Sequence, residues 1–497
     1  MNRKSMFMPL TFGLGLTVAL MWLLSLSGIG LLVARAASYT VCPAGPPTCD
    51  YSIIQDAVDA ASDGEVIKIA AGTYDDINNY SDLAQVVYIV KSVTLRGGYT
   101  TAFTEPPDPE ANPTTLDAGG LGRVIYIEGN ITPTIEGLRI TGGDANILEP
   151  LLGYPVSGGG VQIYGAAATI RNNRIFNNTA YNGGGLRLDG SAATLEDNTI
   201  ISNISDESGG GLFFSDCGQS TNVTIDNNTI SQNTADWAGG LEISNCTGTL
   251  SRNLITSNTS GRNGGGLVLQ DSDMLVIGNT FSEISATDGA GGVFLWGTDA
   301  TLSGNLVSEN VAGWAAGIQI GFGEITLINN IFVDNNADSA NHSGVHLGDA
   351  TVYMLHNTIA RNPGAGSNGI YVDNGTVYLT NTIIVGHTIG IDVKPGGTAI
   401  LENTLWGTGI WANDFDTGGS GTINASGDLW GDPDFMDYEA GDYHIGAASD
   451  AIDAGVDAGV NIDFDHQPRP YLAPDIGADE YWPPGALKFI YLPLVMR

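Results

Sequence analysis

Residues 175–190 read IFNNTAYNGGGLRLDG, and this stretch decides the fold because the chain repeats its order of parts. An apolar start, a polar stretch that contains asparagine in three of the four cases, a glycine run and a short strand-like run return four times: IISNISDESGGGLFFSDC from Ile200, ISQNTADWAGGLEISNC from Ile230, ITSNTSGRNGGGLVLQDS from Ile255 and FSEISATDGAGGVFLWGT from Phe281. Self-similarity of this kind is the signature of a solenoid, in which each repeat packs on its neighbours.

The repeat is about 25 residues long, which is shorter than the period of two-helix repeats. Each repeat carries two or three runs of alternating apolar and polar residues, such as ATIRNNRIF and GLRLDG, and no Leu-rich helical stretch. The sequence therefore predicts an all-β fold, a parallel β-helix with three short strands per coil. The repeat is anchored by the asparagine of an Asn-x-apolar triplet: Asn173, Asn198, Asn228, Asn253, Asn279, Asn305, Asn330, Asn357, Asn381 and Asn403.

Asparagine and glycine explain how such a coil turns without helices. Both tolerate positive φ, and asparagines repeated at one position can stack their amides as a ladder at about 4.8 Å per rung. We interpret the glycine runs as turns, because no Lys-Ser or Lys-Thr of a phosphate loop follows them. A second asparagine row, interrupted by Ile284, stands five residues further on: Asn178, Asn203, Asn233, Asn258, Asn310, Asn335 and Asn362.

The chain is strongly acidic, with 54 Asp and Glu against 18 Lys and Arg and a formal net charge of −36. A field of this sign repels nucleic acid and anionic membranes, which argues against both as partners. It fits solubility, calcium or a cationic partner. We expect a monomer.

The first 36 residues predict export. Arg3 and Lys4 precede an uncharged run over residues 5–34, and ARA at 34–36 offers the small residues that a signal peptidase reads. The run is also long enough to span a bilayer as an uncleaved anchor. Either outcome places the rest of the chain outside the cell or at its surface.

The four cysteines form two pairs that suit an oxidising compartment. Cys217 and Cys246 share one position of consecutive coils, and rungs about 4.8 Å apart bring their Cα atoms within disulfide reach. Cys42 and Cys49 flank PAGPP, with no histidine nearby for a zinc site. We expect both pairs to be disulfide-bonded.

Each end of the solenoid has its own segment. SIIQDAVDAAS from Ser52 predicts a short amphipathic helix that caps the first coil, with Ser52 and Gln55 as a capping box. The tail ALKFIYLPLVMR is too short to span a bilayer as a helix and either attaches the protein to a surface or forms a last strand. The chain thus divides into a signal peptide or anchor (1–36), an N-terminal cap with the first coils (37–133), regular coils (134–410), C-terminal coils with an acidic region (411–482) and a Pro-rich linker with an apolar tail (483–497).

Several stretches resemble a known family. YSIIQDAVDAASDGEVIKIAAGTY from Tyr51, VTLRGGYTTAF from Val93 and the coils resemble secreted bacterial right-handed parallel β-helix proteins of the pectate-lyase-like superfamily. The coils are also similar to repeats of polymorphic outer-membrane adhesins, and SDAIDAGVDAGVNIDFDHQPRPYLAPDIGADEY from Ser449 resembles the C-terminal part of choice-of-anchor Q surface proteins. The resemblance covers about residues 38–482. It implies a right-handed β-helix but no particular activity, because the superfamily mixes lyases, hydrolases and non-catalytic proteins.

A carbohydrate-active enzyme is one of the two functions that the sequence leaves open. A polysaccharide lyase needs a cation that neutralises the uronate carboxylate and a base near the α-proton, whereas a glycoside hydrolase needs two carboxylates about 5–9.5 Å apart. The alternative is a solvated face on which Asp373 and Lys394 simply pair. No catalytic residue is assigned; for an enzyme the cluster comprises His346, Asp373, Asp392 and Lys394, with Tyr371 and Asp349 beside them.

The regular coils favour the other function, a non-catalytic protein that binds glycans or a surface protein in an adhesion or coat role. Aromatic side chains on the outward face can stack sugars or meet a protein, or are merely scattered: Phe213, Phe294, Trp296 and Tyr371. Acidic C-terminal loops predict either calcium ligation, without a full EF-hand spacing, or simple solvation: Asp432, Asp434, Asp463 and Asp465. Membrane contact is expected only through the N-terminal segment or the tail.

Overall fold

The computed structural model describes residues 38–80, 83–149, 156–217, 222–337, 344–364 and 367–485. The predicted signal or anchor segment and the apolar tail from residue 486 lie outside this part of the chain. Among the described helices, none combines the length and apolar character needed to cross a membrane.

The chain winds into a parallel β-helix, as predicted from the repeat. In one representative coil the strands are Leu186–Asp189, Ala193–Glu196, Thr199–Ile201 and Ile204–Ser208, and we call the stacks to which they belong the first, second, third and fourth faces. The third face contains 14 strands, so the solenoid has about 14 turns.

The first and second faces belong to one 27-stranded sheet, because Ile318–Ile328 and Val345–Leu355 run through both. The other first-face strands are Asn78–Tyr80, Leu83–Ile89, Arg123–Glu128, Val161–Tyr164, Leu186–Asp189, Leu212–Ser215, Leu241–Ser244, Leu267–Gln270, Val293–Trp296, Asn368–Val372, Ile389–Val393 and Phe415–Gly419. The other second-face strands are Ser38–Val41, Val66–Ala70, Thr94–Tyr99, Thr134–Glu136, Ala168–Arg171, Ala193–Glu196, Asn222–Asp226, Thr247–Ser251, Asp273–Ile277, Ala300–Ser303, Thr376–Thr380, Thr398–Glu402 and Thr422–Ser426.

The remaining faces are made of shorter strands. The third face consists of Gly72–Tyr74, Thr114–Asp117, Arg139–Thr141, Arg174–Phe176, Thr199–Ile201, Thr229–Ser231, Leu254–Thr256, Thr280–Ser282, Leu306–Ser308, Ile331–Val333, Thr358–Ala360, Ile383–Val385, Leu405–Gly407 and Leu429–Gly431. The fourth consists of Thr179–Asn182, Ile204–Ser208, Thr234–Ala235, Thr259–Ser260, Ser285–Ala286, Val311–Ala312 and Asn336–Ala337. An antiparallel hairpin, Phe435–Asp437 with Asp442–Ile445, follows the last coil, and short 3₁₀ turns cover Asn146–Leu148, Gly409–Trp411 and Tyr438–Ala440.

The core is a continuous stack of inward apolar side chains. Parallel pairing places Leu186, Leu212, Leu241 and Leu267 at one position of successive coils, and all four are buried. Burial of identical residues on identical positions fixes the register, because a slip by one residue would turn each apolar side chain outward.

The first asparagine row forms a hydrogen-bonded ladder from Asn173 to Asn357. Each side-chain oxygen accepts bonds from both the backbone N–H and the amide nitrogen of the asparagine one coil earlier. Oδ1 of Asn228, for example, lies 2.9 Å from both nitrogens of Asn198. Nδ2 of Asn228 in turn donates to the carbonyl of Leu195 at 3.0 Å. The row therefore satisfies buried backbone groups at one corner of the coils from Asn173 to Asn357.

Asn381 and Asn403 do not belong to this ladder, contrary to the sequence prediction. Strand pairing aligns Asn357 with Thr382 and then with Thr404, so the two asparagines stand one position earlier. Both have positive φ, of 54° and 55°, as expected for asparagine in a turn. The prediction failed because the residues on both sides of these strands are buried, so the apolar pattern no longer distinguishes inward from outward positions.

The second asparagine row extends further than predicted. Asn362 is followed on the next coil by His387, whose Nε2 lies 3.2 Å from the amide nitrogen of Asn362. The backbone N–H of His387 then donates to Oδ1 of Asn413 at 3.0 Å. At the interruption, the N–H of Ile284 still donates to Oδ1 of Asn310, so the row continues past it.

A short helix, Ile54–Ala60, covers the first coil as predicted and buries Ile54, Ala57 and Val58. The expected capping box is wrong, because no side chain caps the N-terminus of this helix. Gln55 instead exchanges hydrogen bonds with the backbone of Tyr88 in the next strand layer. The glutamine thus ties the cap to the solenoid.

Both predicted disulfides are confirmed. The Cα atoms are 6.0 Å apart in Cys42–Cys49 and 4.9 Å apart in Cys217–Cys246, which joins consecutive coils. The position of Cys246 is continued by Ser272 on the next coil, whose hydroxyl accepts the N–H of Cys246 at 3.1 Å. Disulfides persist in oxidising compartments.

The C-terminal segment, residues 446–485, packs against the third face, and we call it the C-terminal strap. Its backbone docks on the turn residues of the last coils: Asn329 donates to the carbonyl of Ile462 at 2.7 Å, and Asn381 exchanges two bonds with Val456. A second apolar core lies beneath it, formed by Ile331, Val333, Ala360, Ile383, Val385, Leu405, Trp411, Phe435, Tyr443, Ile445, Ala451, Ile476 and Ala478.

Candidate functional site

One outward column of the first face contains five of the eight predicted binding and catalytic residues; Trp296, Asp373 and Lys394 stand two positions further along the chain. Strand pairing aligns, on successive coils, Gln162, Arg187, Phe213, Glu242, Val268, Phe294, Gln319, His346, Tyr371 and Asp392. Much of this column is covered by the turn that precedes each glycine run, where Trp237 lies 5.6 Å from Phe294 and Trp314 lies 5.9 Å from His346. The outward surface of the first face, which we call the strip, is thus partly covered by these turns.

Two of the four predicted aromatic ligands are not open to a ligand in the way the sequence suggested. Phe294 is only 5% exposed, in a small apolar cluster with Ala238, Val268 and Ala290. Phe213 is half-buried, with the guanidinium of Arg187 4.1 Å from its ring centre. Alternation predicts the outward direction of these side chains but not the turns that cover them.

Trp296 is the most exposed of the four predicted aromatic ligands, at 42% exposure. Its indole lies against Gly321 on the next coil, where a Cβ would stand 2.3 Å from the ring. Phe322 meets it edge-on, with ring centres 4.6 Å apart, and is itself 40% exposed. We call Trp296, Phe322 and the glycines Gly321 and Gly348 the aromatic shelf.

The predicted catalytic cluster lies beside the shelf. His346, Tyr371 and Asp392 occupy three consecutive rungs, and the rings of His346 and Tyr371 are 5.4 Å apart. Nδ1 of His346 accepts a hydrogen bond from the indole N–H of Trp314 at 3.3 Å. Lys394 donates to Asp392 at 2.8 Å and lies 5.0 Å from the ring centre of Tyr371.

The electrostatics of this cluster do not match an acid–base pair. Burial lowers the pKa of His346 to about 4, so its imidazole is neutral at physiological pH. Asp392 is buried and paired with Lys394, and its carboxylate raises the pKa of that lysine. Asp373 and Asp349 are exposed at the edge. A hydrolase needs one protonated and one ionised carboxyl across the substrate, and this arrangement offers a lysine-neutralised carboxylate and a neutral histidine.

A separate cleft of about 580 Å³ lies near the N-terminal coils. One wall is the insertion at 103–113, in which Glu105 accepts bonds from Tyr99 and Lys68. The floor carries Arg96 and Arg171, which both bond to the carboxylate of Glu136 between them. The signal that could have revealed this cleft is its register, because Arg96, Glu136 and Arg171 share one outward position of successive second-face strands.

The four predicted calcium ligands do not come together. Oδ1 of Asp432 accepts the N–H of Asp434 at 2.9 Å, and the N–H of Asp432 donates to Oδ2 of Asp450 at 2.8 Å. Asp463 accepts the N–H of Gln467 at 2.7 Å and so closes a turn. Among the described residues, the group that could share an ion is instead His444, Asp465 and Asp479. Only Asp465 was predicted, because sequence spacing does not show how the hairpin and the strap converge.

Three comparisons with known proteins bear on this architecture. No curated protein matches the chain. The crystal structure of pectate lyase Pel9A is similar at 11% identity, with a TM-score of 0.34, and the match covers 90% of this chain and 98% of that chain. The family model described as "Right handed beta helix region" matches residues 119–281 and 260–381, which together make up more than half of the chain. The chain therefore belongs to the right handed beta helix family.

Proposed function

We propose that this is an exported, non-catalytic surface protein that binds neutral glycans on the aromatic shelf. The observation that carries the proposal is the indole of Trp296, which is held against a glycine backbone with its outer surface open to solvent. An aromatic ring in this position offers an apolar platform with a polar edge, as sugar rings with axial C–H groups and equatorial hydroxyls require.

Polar side chains border the shelf on both sides and can bond the hydroxyls of a stacked sugar. Gln270 precedes Trp296 at the same position of the previous coil and is exposed. On the opposite side, strand pairing places the exposed Asp349 next to Phe322. A carboxylate at this edge accepts from neutral hydroxyls and repels uronates, so the shelf favours neutral over acidic glycans.

Surface localisation rests on separate observations. Both disulfides require an oxidising environment to form. The resemblance of the coils to adhesin repeats, and of the strap sequence to choice-of-anchor proteins, supports an adhesion or coat role for a rigid rod. A long row of equivalent coils suits display of a binding face rather than closure around a substrate.

Glycan-array binding of the full-length, disulfide-intact protein, with reducing-end release measured on each bound glycan, tests the proposal. We expect binding without release, reduced at least tenfold by Trp296→Ala. The matched control is Tyr164→Ala, an exposed aromatic residue at the same column position five coils earlier, which should bind normally. Release of reducing ends, or unchanged binding by Trp296→Ala, would overturn the proposal.

The N-terminal cleft favours a second candidate, a carbohydrate-active enzyme that acts on acidic polysaccharides. The side chain of Arg171 at the floor of the cleft is 45% exposed and can meet a carboxylate, Glu105 is paired with Lys68, and the insertion at 103–113 supplies a wall that the shelf lacks. For this candidate we expect cleavage of uronate-containing polysaccharide that Arg171→Ala abolishes. The control is Arg174→Ala, which removes an exposed arginine of the third face. No cleavage of any uronate polymer would exclude it.

A further inference from the structure

We propose that His444, Asp465 and Asp479 form a binding site for a divalent transition metal ion that fastens the C-terminal strap to the last hairpin. Their ligand atoms, one nitrogen and two carboxylate oxygens, all lie within 4.8 Å of one another. Imidazole with carboxylate oxygens suits Zn²⁺, Mn²⁺ or Fe²⁺, whereas calcium requires six to eight oxygen ligands. The three residues come from separate segments of the chain.

The orientation of His444 supports metal ligation. Its Nδ1 bonds Oδ1 of Asp442 at 2.5 Å, which leaves Nε2 to face the other two carboxylates. A histidine held by a carboxylate through one nitrogen, with the other nitrogen directed at the ion, is the usual arrangement around protein-bound metals. Asp442 would thus orient the ligand without touching the ion.

Nε2 of His444 is buried and, among the described residues, makes no aligned hydrogen bond; its contact is the ion pair with Asp465. Oδ2 of Asp465 lies 2.8 Å from it, but not in hydrogen-bonding geometry. Two ligand atoms that bind one ion at about 2.0–2.2 Å lie roughly 3 Å apart. Because the ion sets their positions, they need not be aligned as a hydrogen-bond donor and acceptor. The short, misaligned approach of the nitrogen and oxygen is what a shared ion would produce.

Asp479 completes the group from beneath. Asp479 is buried, with only 6% of its surface exposed. Its Oδ2 accepts the N–H of Ile445 at 2.9 Å. None of the described hydrogen bonds uses Oδ1 of this carboxylate. A buried carboxylate with a spare oxygen needs a cation or a proton, and the adjacent imidazole places a metal ion within reach of both.

The competing interpretation is an ion-pair cluster without metal. Nδ1 of His444 lies 2.5 Å from Oδ1 of Asp442, and its Nε2 lies 2.8 Å from Oδ2 of Asp465. Metal titration of the wild type and of the ligand variants therefore distinguishes the two interpretations.

The test is calorimetric titration of the chelator-treated full-length protein with Zn²⁺, Mn²⁺ and Ca²⁺, together with the absorption spectrum of bound Co²⁺. We expect one equivalent of Zn²⁺ or Mn²⁺ to bind, and Ca²⁺ to bind at least tenfold more weakly. His444→Gln and Asp465→Asn should each lower the affinity at least tenfold and abolish the Co²⁺ spectrum, and Asp442→Asn should lower it about tenfold or more.

The matched controls are Asp434→Asn and His466→Gln, which alter a nearby carboxylate and an exposed histidine outside the site. Both should bind metal normally. Absence of saturable binding by any of the ions, or binding that His444→Gln leaves unchanged, would overturn the proposal and assign the group to a proton-bridged ion pair. Binding lost in Asp434→Asn but not in Asp465→Asn would contradict it equally.

Discussion

The indole of Trp296 lies so close to Gly321 that a Cβ at this glycine would stand 2.3 Å from the ring. Only a residue without a side chain permits this approach, so the glycine determines where the platform lies. The backbone of Gly321 is an ordinary strand conformation, and the requirement for glycine at this position is therefore one of space rather than of φ.

Gly321→Ala should therefore weaken glycan binding without unfolding the coil. The added methyl group displaces a surface ring that can rotate away, so we expect at least a fivefold loss of affinity with a thermal midpoint close to that of the wild type. A double-mutant cycle provides the control, because Gly321→Ala should have no further effect once Trp296→Ala has removed the ring. Additive losses in the double variant would mean that the glycine does not act through the indole.

Asn228 tests the energetic role of the first ladder. Asn228→Ala removes the acceptor of the N–H of Asn198, one of the two acceptors of its amide, and a donor to the carbonyl of Leu195; each buried group left unsatisfied costs about 1–3 kcal/mol. We expect the free energy of unfolding, from chemical denaturation, to fall by about 3 kcal/mol. Asn222→Ala is the control: this asparagine is exposed, and its loss should change stability by less than about 0.5 kcal/mol. Equal effects of the two substitutions would contradict a ladder that stabilises the coils.

The features that recur with the repeat could be predicted from the sequence. The repeat period, the strand content and the shared position of Cys217 and Cys246 depend only on local pattern and on the rung spacing. They can therefore be predicted without knowledge of distant contacts. The errors begin where a distant segment covers the coils. Asn381 lies outside the ladder and instead bonds the backbone of Val456, 75 residues later. The repeat pattern of the coils cannot predict such a contact.

For the candidate site, the sequence predicts only which residues are aligned on consecutive coils. Register places His346, Tyr371 and Asp392 on consecutive rungs, as the strand pairing shows. Exposure was not predictable, because Phe294 is covered by a turn that carries Trp237. Trp314 and Gly321, which shape the strip, have no distinctive sequence signal, since each owes its importance to a neighbour on another coil.

Arg469 should be essential for docking of the C-terminal strap. Its side chain is buried, lies 3.5 Å from Glu480, and donates to the carbonyls of Asp475, Gly477 and Ala478. Arg469→Met leaves a buried carboxylate without its cation, a loss that typically costs about 3–5 kcal/mol. We expect limited proteolysis to cut within residues 446–485 while the circular dichroism of the coils is retained.

The double variant Arg469→Met/Glu480→Gln is the matched control for this ion pair. It removes the carboxylate together with the cation, so the strap should regain part of its resistance to protease. Equal susceptibility of the single and double variants would show that the lost backbone contacts of Arg469, rather than the unpaired charge, release the strap.

His387 should make the coils sensitive to acid. Burial lowers the pKa of His387 to about 4 in the folded protein, below the ordinary value of 6.5, because a charged imidazole would lose its hydration there. The folded state thus binds fewer protons than the unfolded state between these values. Stability is full above pH 6.5 and declines as the pH falls toward 4, by on the order of 2–3 kcal/mol for this group.

His387→Asn places at this rung the residue that occupies it on most earlier coils, and asparagine does not titrate. We expect nearly unchanged stability at pH 7 and a shallower decline between pH 6.5 and 4, measured as thermal midpoint against pH. His466→Asn is the control, since His466 is exposed in a turn with φ of 63° that asparagine also adopts, and its acid decline should match that of the wild type. An unchanged slope in His387→Asn would show that the remaining buried histidines, His346 and His356, or the carboxylates cause the acid sensitivity instead.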